Sequence, residues 1–131
     1  MKKLPGFVAK RTQNAQQLTE ILSKSNRLCL PSEPAGGKNS WYLYTARLYN
    51  GTETQRNRLL EELHKKGIGA EAYYVNPVHL MPYYRGFSVR ALPETEKAAK
   101  QVFSLPVHPG VTFEQINFIG ETLLQLLEHI G

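Results

Sequence analysis

Apolar residues at helical spacing alternate along this chain with short aromatic and β-branched runs, and this alternation constrains the fold more than any other feature. The resulting order is helix, strand, strand, helix, strand, helix, strand, helix. Such an order predicts a small mixed or antiparallel sheet of three to four strands that helices cover on one face. We therefore expect an α+β fold, an open α/β sandwich, formed by residues 1–131 as a single domain.

Local signals mark where these elements begin and end. Thr52 and Gln55 have the spacing of a capping box, Thr112 and Gln115 repeat it, and Gly67 is a typical helix stop. Prolines punctuate the stretch after the third predicted strand, which makes residues 76–85 a long extended loop. The predicted helices cover about residues 7–25, 53–66, 93–102 and 113–130, and the predicted strands cover 27–30, 41–49, 70–75 and 103–105.

The acidic residues exclude several kinds of chemistry. All 11 acidic residues are Glu, and the chain contains no Asp. A Ser-His-Asp triad, an EF-hand loop and a paired-aspartate site each need that residue. One Cys and four scattered His provide no short-spaced ligand pair for zinc, so we expect no metal site.

Basic residues are concentrated near the start of the chain. Residues 1–47 contain eight Lys and Arg and only two Glu. Residues 48–131 contain eight Lys and Arg and nine Glu. A basic region can attract phosphate-bearing partners, which leaves open a free-standing module that binds nucleic acid or a regulatory protein. No RNP-like strand, GXXG loop or helix-turn-helix pattern is visible, so nucleic acid is the less favoured partner.

The expected location is the cytoplasm, without membrane insertion. No apolar run approaches the ~18 residues that a bilayer-spanning helix needs. Lys10 and Arg11 lie where a secretory signal would have its apolar core.

Short motifs spread over nearly the whole chain carry a family resemblance. They are Lys10-Arg11, Arg56-Asn57-x-Leu59, Gly67-Ile68, Tyr74, Pro77-x-His79-x-x-Pro82 followed by Tyr83 and Tyr84, Leu92-Pro93-x-Thr95-Glu96, Ser104-Leu105-Pro106-Val107-x-Pro109 and Val111-Thr112-x-Glu114. In this order they resemble the C-terminal small domain of the DegT/DnrJ/StrS sugar aminotransferases, which are fold-type I enzymes dependent on pyridoxal phosphate (PLP).

The resemblance implies a role within a larger assembly. In this family the small domain closes over the PLP cleft of a large α/β domain, usually within a homodimer. The cofactor lysine, its acidic partner and the phosphate-binding residues belong to the large domain, which is absent from these 131 residues. We therefore expect this chain alone to bind no cofactor and to be inactive. Its partners would be the large domain or a full-length aminotransferase, and the substrate of the parent enzyme would be a nucleotide-linked keto-sugar.

The resemblance also implies a substrate-binding segment. Its candidate residues are Tyr73, Tyr74, His79, Tyr83 and Arg85, with no catalytic residue in this chain. Family members commonly have His-Tyr where this sequence has Tyr73-Tyr74. Core packing for one of these tyrosines, a structural role for His79 and simple solvation of Arg85 remain alternatives, as does a subunit that only pairs with a full-length enzyme.

Overall fold

The computed structural model describes residues 2–87 and 90–130, with the side chain of Arg85 left out. The described chain forms four α-helices and one small antiparallel sheet of three strands, which confirms the predicted α+β class. Their bounds are α1 Leu4–Leu22, β1 Leu28–Cys29, β2 Tyr44–Leu48, α2 Glu53–Lys65, α3 Pro93–Gln101, β3 Val102–Leu105 and α4 Phe113–His129, with two 3₁₀ turns at Val78–Leu80 and Pro82–Gly86.

The three strands lie in the order β1-β2-β3, with antiparallel pairing throughout. Tyr44, Ala46 and Leu48 alternate with half-buried residues, so one face of β2 points into the core. The predicted strand at 70–75 is wrong in extent, because only Glu71 forms a bridge, with Ser104. The chain turns immediately after Glu71 and leaves the edge of the sheet.

The central strand is also shorter than the predicted run 41–49. Trp41 has a positive φ of 51°, which is incompatible with a strand, and pairing begins only at Tyr44. Trp41 is nevertheless buried, and its ring stacks on Tyr44 with centroids 5.8 Å apart. Trp41 therefore contributes to the core, together with Tyr44, rather than extending the sheet.

Local end signals at the helices are confirmed. The hydroxyls of Thr52 and Thr112 accept hydrogen bonds from the backbone N–H of Gln55 and Gln115, and both glutamine side chains complete their capping boxes. Gly67 follows α2 with a φ of 76°, a conformation that favours glycine. The apolar faces of α1, α2 and α4 share one core with the sheet, which includes Leu18, Leu22, Leu59, Leu63, Phe103, Ile116 and Leu123.

Asn14 connects this core to the loop before α4. Its side chain is fully buried, and its amide nitrogen lies 3.2–3.3 Å from the carbonyl oxygens of Val107, His108 and Val111. An amide group supplies only two N–H donors, so these acceptors share them. Asn14 thereby fixes the loop that leads from β3 into α4.

Candidate functional site

The most distinctive surface is the segment of residues 71–87, which we call the aromatic loop. Tyr83 is 78% exposed and Tyr74 is 70% exposed. The Tyr83 and Tyr84 rings meet edge to face at 5.1 Å, and Phe87 lies about 6 Å from both. Clustered exposed aromatic side chains mark interaction surfaces, because isolated folded domains normally bury them.

Tyr73 lies beside a small cleft of about 240 Å³. Its ring meets that of Tyr74 edge to face at 6.1 Å, and the peptide bond between them is cis. Arg11 lines the same cleft, and its Nη1 donates hydrogen bonds to the carbonyl oxygens of Trp41 at 3.2 Å and Tyr42 at 3.0 Å. The Arg11 guanidinium also lies 5.6 Å from the centre of the Tyr42 ring, so the wall of the cleft combines a cation with two phenols.

His79 has a different environment from its neighbours in the aromatic loop. Its side chain is only 10% exposed, and Nε2 lies 3.1 Å from Oε1 of Glu96 on the first turn of α3. The backbone N–H of Leu92 donates to the same oxygen at 3.3 Å. The hydrogen bond from His79, followed by that from Leu92, lowers the pKa of the Glu96 carboxyl.

The structure brings together some of the predicted site residues and separates others. Tyr73 and Tyr74 contact each other, whereas Tyr83 contacts Tyr84 and Phe87, and His79 turns towards Glu96. The side chain of Arg85 lies outside the described part of the structure. Substrate contacts at all five positions therefore stay predictions.

Sequence reasoning missed the partners that hold this region in place. Glu96 was visible only as part of a motif, and its position in the first turn of a predicted helix was the available signal. Asn14 gave no signal, because an asparagine within an amphipathic helix is ordinarily solvent-exposed.

The described residues do not fit PLP. The cofactor lysine of such enzymes is withdrawn from solvent, whereas every lysine of this chain is exposed except Lys10, which is half-buried. PLP also needs a buried carboxylate that faces its ring, and no Glu in residues 2–87 or 90–130 is buried.

Residues 2–87 and 90–130 contain neither a cluster of metal ligands nor a membrane-spanning helix. No group of three or more His, Cys or Glu side chains there is placed to hold a metal ion. No helix there combines the length and the apolar character required to cross a membrane.

Helices on one small antiparallel sheet, joined by an exposed aromatic loop, define an architecture found in solved aminotransferases. An aminotransferase, TlmJ, from Streptoalloteichus hindustanus superposes with a TM-score of 0.89 and 26% identity over 99% of this chain and 34% of its own. DesV from S. venezuelae, solved in complex with a ketimine intermediate, superposes with a TM-score of 0.87 and 27% identity. The match covers 97% of this chain and 33% of DesV. The sequence model of the DegT/DnrJ/EryC1/StrS aminotransferase family matches residues 1–124, and this chain belongs to that family.

Curated relatives match this chain over nearly its whole length. A pleiotropic regulatory protein from Geobacillus stearothermophilus is 30% identical over 98% of this chain and 34% of the relative. The dTDP-4-dehydro-2,3,6-trideoxy-D-glucose 4-aminotransferase of Saccharopolyspora spinosa is 28% identical over 98% of this chain and 32% of the relative. The chain thus spans about a third of the length of the relatives it matches. The family is PLP-dependent, and a putative sugar aminotransferase from Streptococcus pneumoniae with the same fold has been solved in its PLP form.

Proposed function

We propose that residues 1–131 are the small domain of a PLP-dependent nucleotide-sugar aminotransferase, and that they are inactive alone. The aromatic loop carries this proposal, because its exposed tyrosines need a covering partner. A large domain that holds the cofactor is a partner of the right kind, since no lysine in the described chain has the burial that the cofactor requires. The assembled enzyme is usually a homodimer in this family. There the aromatic loop would close over the PLP cleft of the large domain.

The side chains of the aromatic loop suit a sugar ring. The Tyr73 and Tyr74 phenols can donate hydrogen bonds to hydroxyl or keto oxygens, and their rings can stack on the apolar face of a hexose. Tyr83 adds a third exposed ring from the neighbouring cluster. Arg85 lies on the same loop, and a guanidinium is suited to the phosphates of a nucleotide. His79 supports these groups by holding the loop against α3.

The first experiment measures activity with and without a large domain. The chain is mixed with PLP, an amino acid donor and the dTDP-linked keto-sugar named for the S. spinosa relative. We expect no turnover from the chain alone. We expect turnover from a chimera in which this chain replaces the matching third of that relative. Turnover by the isolated chain would contradict inactivity alone, and an inactive but folded chimera would contradict the small-domain role.

A tyrosine substitution in the chimera then tests the aromatic loop. We expect Tyr74→Ala to raise KM for the keto-sugar about tenfold, the scale of one lost hydrogen bond and stacking contact. Tyr49→Ala is the matched control, because Tyr49 is also an exposed tyrosine but lies beyond β2 and outside the loop. Equal KM values for the two variants would refute substrate contact by the loop.

Polypeptide length in the source cells tests the domain assignment independently. An immunoblot against this domain should detect a product about three times longer than 131 residues, because relatives are covered to about a third. A product of 131 residues would instead favour a subunit that pairs with a separate enzyme.

A further inference from the structure

The short turn around His79 exposes its apolar side chains and buries its polar one, the reverse of the usual arrangement. In the 3₁₀ turn Val78–Leu80 the two apolar side chains are exposed, whereas the imidazole between them is 10% exposed. A short turn at a surface normally directs its apolar residues inward and its polar residue to water. This inversion means that the environment of the imidazole, rather than apolar burial, determines how the turn sits on the domain.

Glu96 provides that environment. Its Oε1 accepts from both His79 Nε2 and the backbone N–H of Leu92, the residue that precedes α3. An ionised carboxylate can only accept, so the proton of His79 must lie on Nε2. Leu92 has no polar side chain that could cap α3, and the Glu96 carboxylate accepts from the backbone N–H of Leu92 while it holds the imidazole.

Beyond Glu71, which bridges to Ser104, this contact is the one polar attachment of the described part of the aromatic loop to the rest of the domain. Among the described residues from 72 to 91, the other backbone hydrogen bonds are local, such as Tyr84 N to Met81 O and Phe87 N to Tyr84 O. Within the same stretch, His79 makes the only side-chain hydrogen bond that reaches α3, across 17 positions of sequence. The aromatic cluster of Tyr83, Tyr84 and Phe87 lies between His79 and Glu96 in sequence.

The geometry points to Glu96 as a positioning residue, which acts through His79 to hold the exposed tyrosines of residues 78–87 in one arrangement before any partner or substrate arrives. Preorganisation of this kind lowers the conformational entropy that binding must remove. The consequence for substrate binding rests on the proposed function, whereas the effect on the loop itself does not.

Hydrogen–deuterium exchange of the 131-residue chain tests this role. We expect Glu96→Ala to accelerate exchange in residues 78–87 about tenfold, the factor expected for one lost charge-assisted hydrogen bond. Glu96→Gln should keep slow exchange, because its amide oxygen can accept from both donors. Glu94→Ala is the matched control, since Glu94 lies in the same helical turn and has no hydrogen bond to the loop among the described residues. Equal exchange in Glu96→Ala and Glu94→Ala would overturn the inference.

A variant on the other partner covers the case in which Glu96→Ala disturbs α3. His79→Leu removes the donor and leaves α3 intact, so it should produce the same acceleration, and unchanged exchange would overturn the inference. The ¹⁵N spectrum of the His79 imidazole adds a signature that general destabilisation does not produce. The Nε2–H tautomer should dominate in the wild type and Glu96→Gln, and it should mix with the Nδ1–H form in Glu96→Ala. Turnover by the isolated chain would refute the proposed function and leave these results unchanged, so the two failures are distinguishable.

Discussion

Ile21 on α1 packs directly against Gly120 on α4. A Cβ atom added at Gly120 would lie 2.7 Å from Cγ2 of Ile21 and 3.1 Å from its Cβ. Such distances are too short for carbon atoms, so the two helices approach at this point only because position 120 has no side chain. This contact between the first and last helices thus depends on the absence of a side chain at position 120.

Gly120→Ala should therefore destabilise the domain. We expect a loss of about 1–3 kcal/mol from overpacking, in spite of the better helix propensity of alanine. Gly6→Ala is the matched control, because Gly6 also lies in a helix but has open space where the methyl group would go. It should change stability by less than about 1 kcal/mol, in the stabilising direction. Urea denaturation of both variants decides the matter, and equal midpoints would contradict the close approach.

Asn14→Ala should weaken the loop that precedes α4. The substitution removes the buried donor that the carbonyl groups of Val107, His108 and Val111 share, and only the carbonyl of His108 is also bonded by the backbone N–H of Val111 in this loop. The loss should cost about 2 kcal/mol or more. Gln16→Ala on the exposed side of the same helix should stay within about 0.5 kcal/mol of the wild type. Thermal unfolding followed by circular dichroism compares the two, and similar losses would argue against a specific role for Asn14.

Arg56 is a second buried polar residue with a testable contribution. Its Nε donates to Oδ1 of Asn57 at 2.8 Å and Nη1 lies 3.4 Å from the carbonyl of Val102, while burial lowers the pKa of the guanidinium. Arg56→Ala should cost about 2–4 kcal/mol, since it leaves a cavity and an unpaired carbonyl. Arg56→Met should recover much of this loss by filling the volume.

Arg58 provides the comparison on the same helix, because its side chain is exposed. Arg58→Ala should change stability by less than about 0.5 kcal/mol in the same denaturation experiment. A full loss in Arg56→Met would show that charge, rather than volume, stabilises this position.

The pH dependence of the aromatic loop follows from Glu96. Its pKa is lowered in the folded chain, first by the hydrogen bond from His79, so its stabilising contribution exists above the ordinary pKa of a glutamate and disappears as the pH falls through the lowered value. In His79→Leu the Glu96 pKa should rise towards the ordinary value. Carboxyl ¹³C titration measures this shift. Lys100→Ala is the control, because Lys100 contributes least to the lowering.

Features encoded by a few neighbouring residues were predictable from sequence. Both capping boxes and the stop at Gly67 depend on residues three or four positions apart, and the structure has them where the sequence placed them. The class of fold follows from hydrophobic spacing, which is also local. The motif order indicated the family, and the family match over residues 1–124 confirms it.

Features that depend on distant residues could not be predicted. Residues 70–75 have the composition of a strand, yet only Glu71 pairs, because the turn at Tyr73 and Tyr74 takes the chain away from β3. The burial of Asn14 results from a loop more than 90 positions away. The contact between His79 and Glu96 likewise joins two separate motifs, and no local pattern indicates it.

The packing of α1 on α4 has a consequence for how the polypeptide folds as it is made. Asn14 and Arg27 donate to carbonyl groups between 93 and 103 positions further along, those of Val107 and Ile130 among them. The packing of α1 on α4 can therefore form only after α4 has emerged from the ribosome. Completion of the core should be a late step in the folding of this domain, because its contacts join elements far apart in sequence.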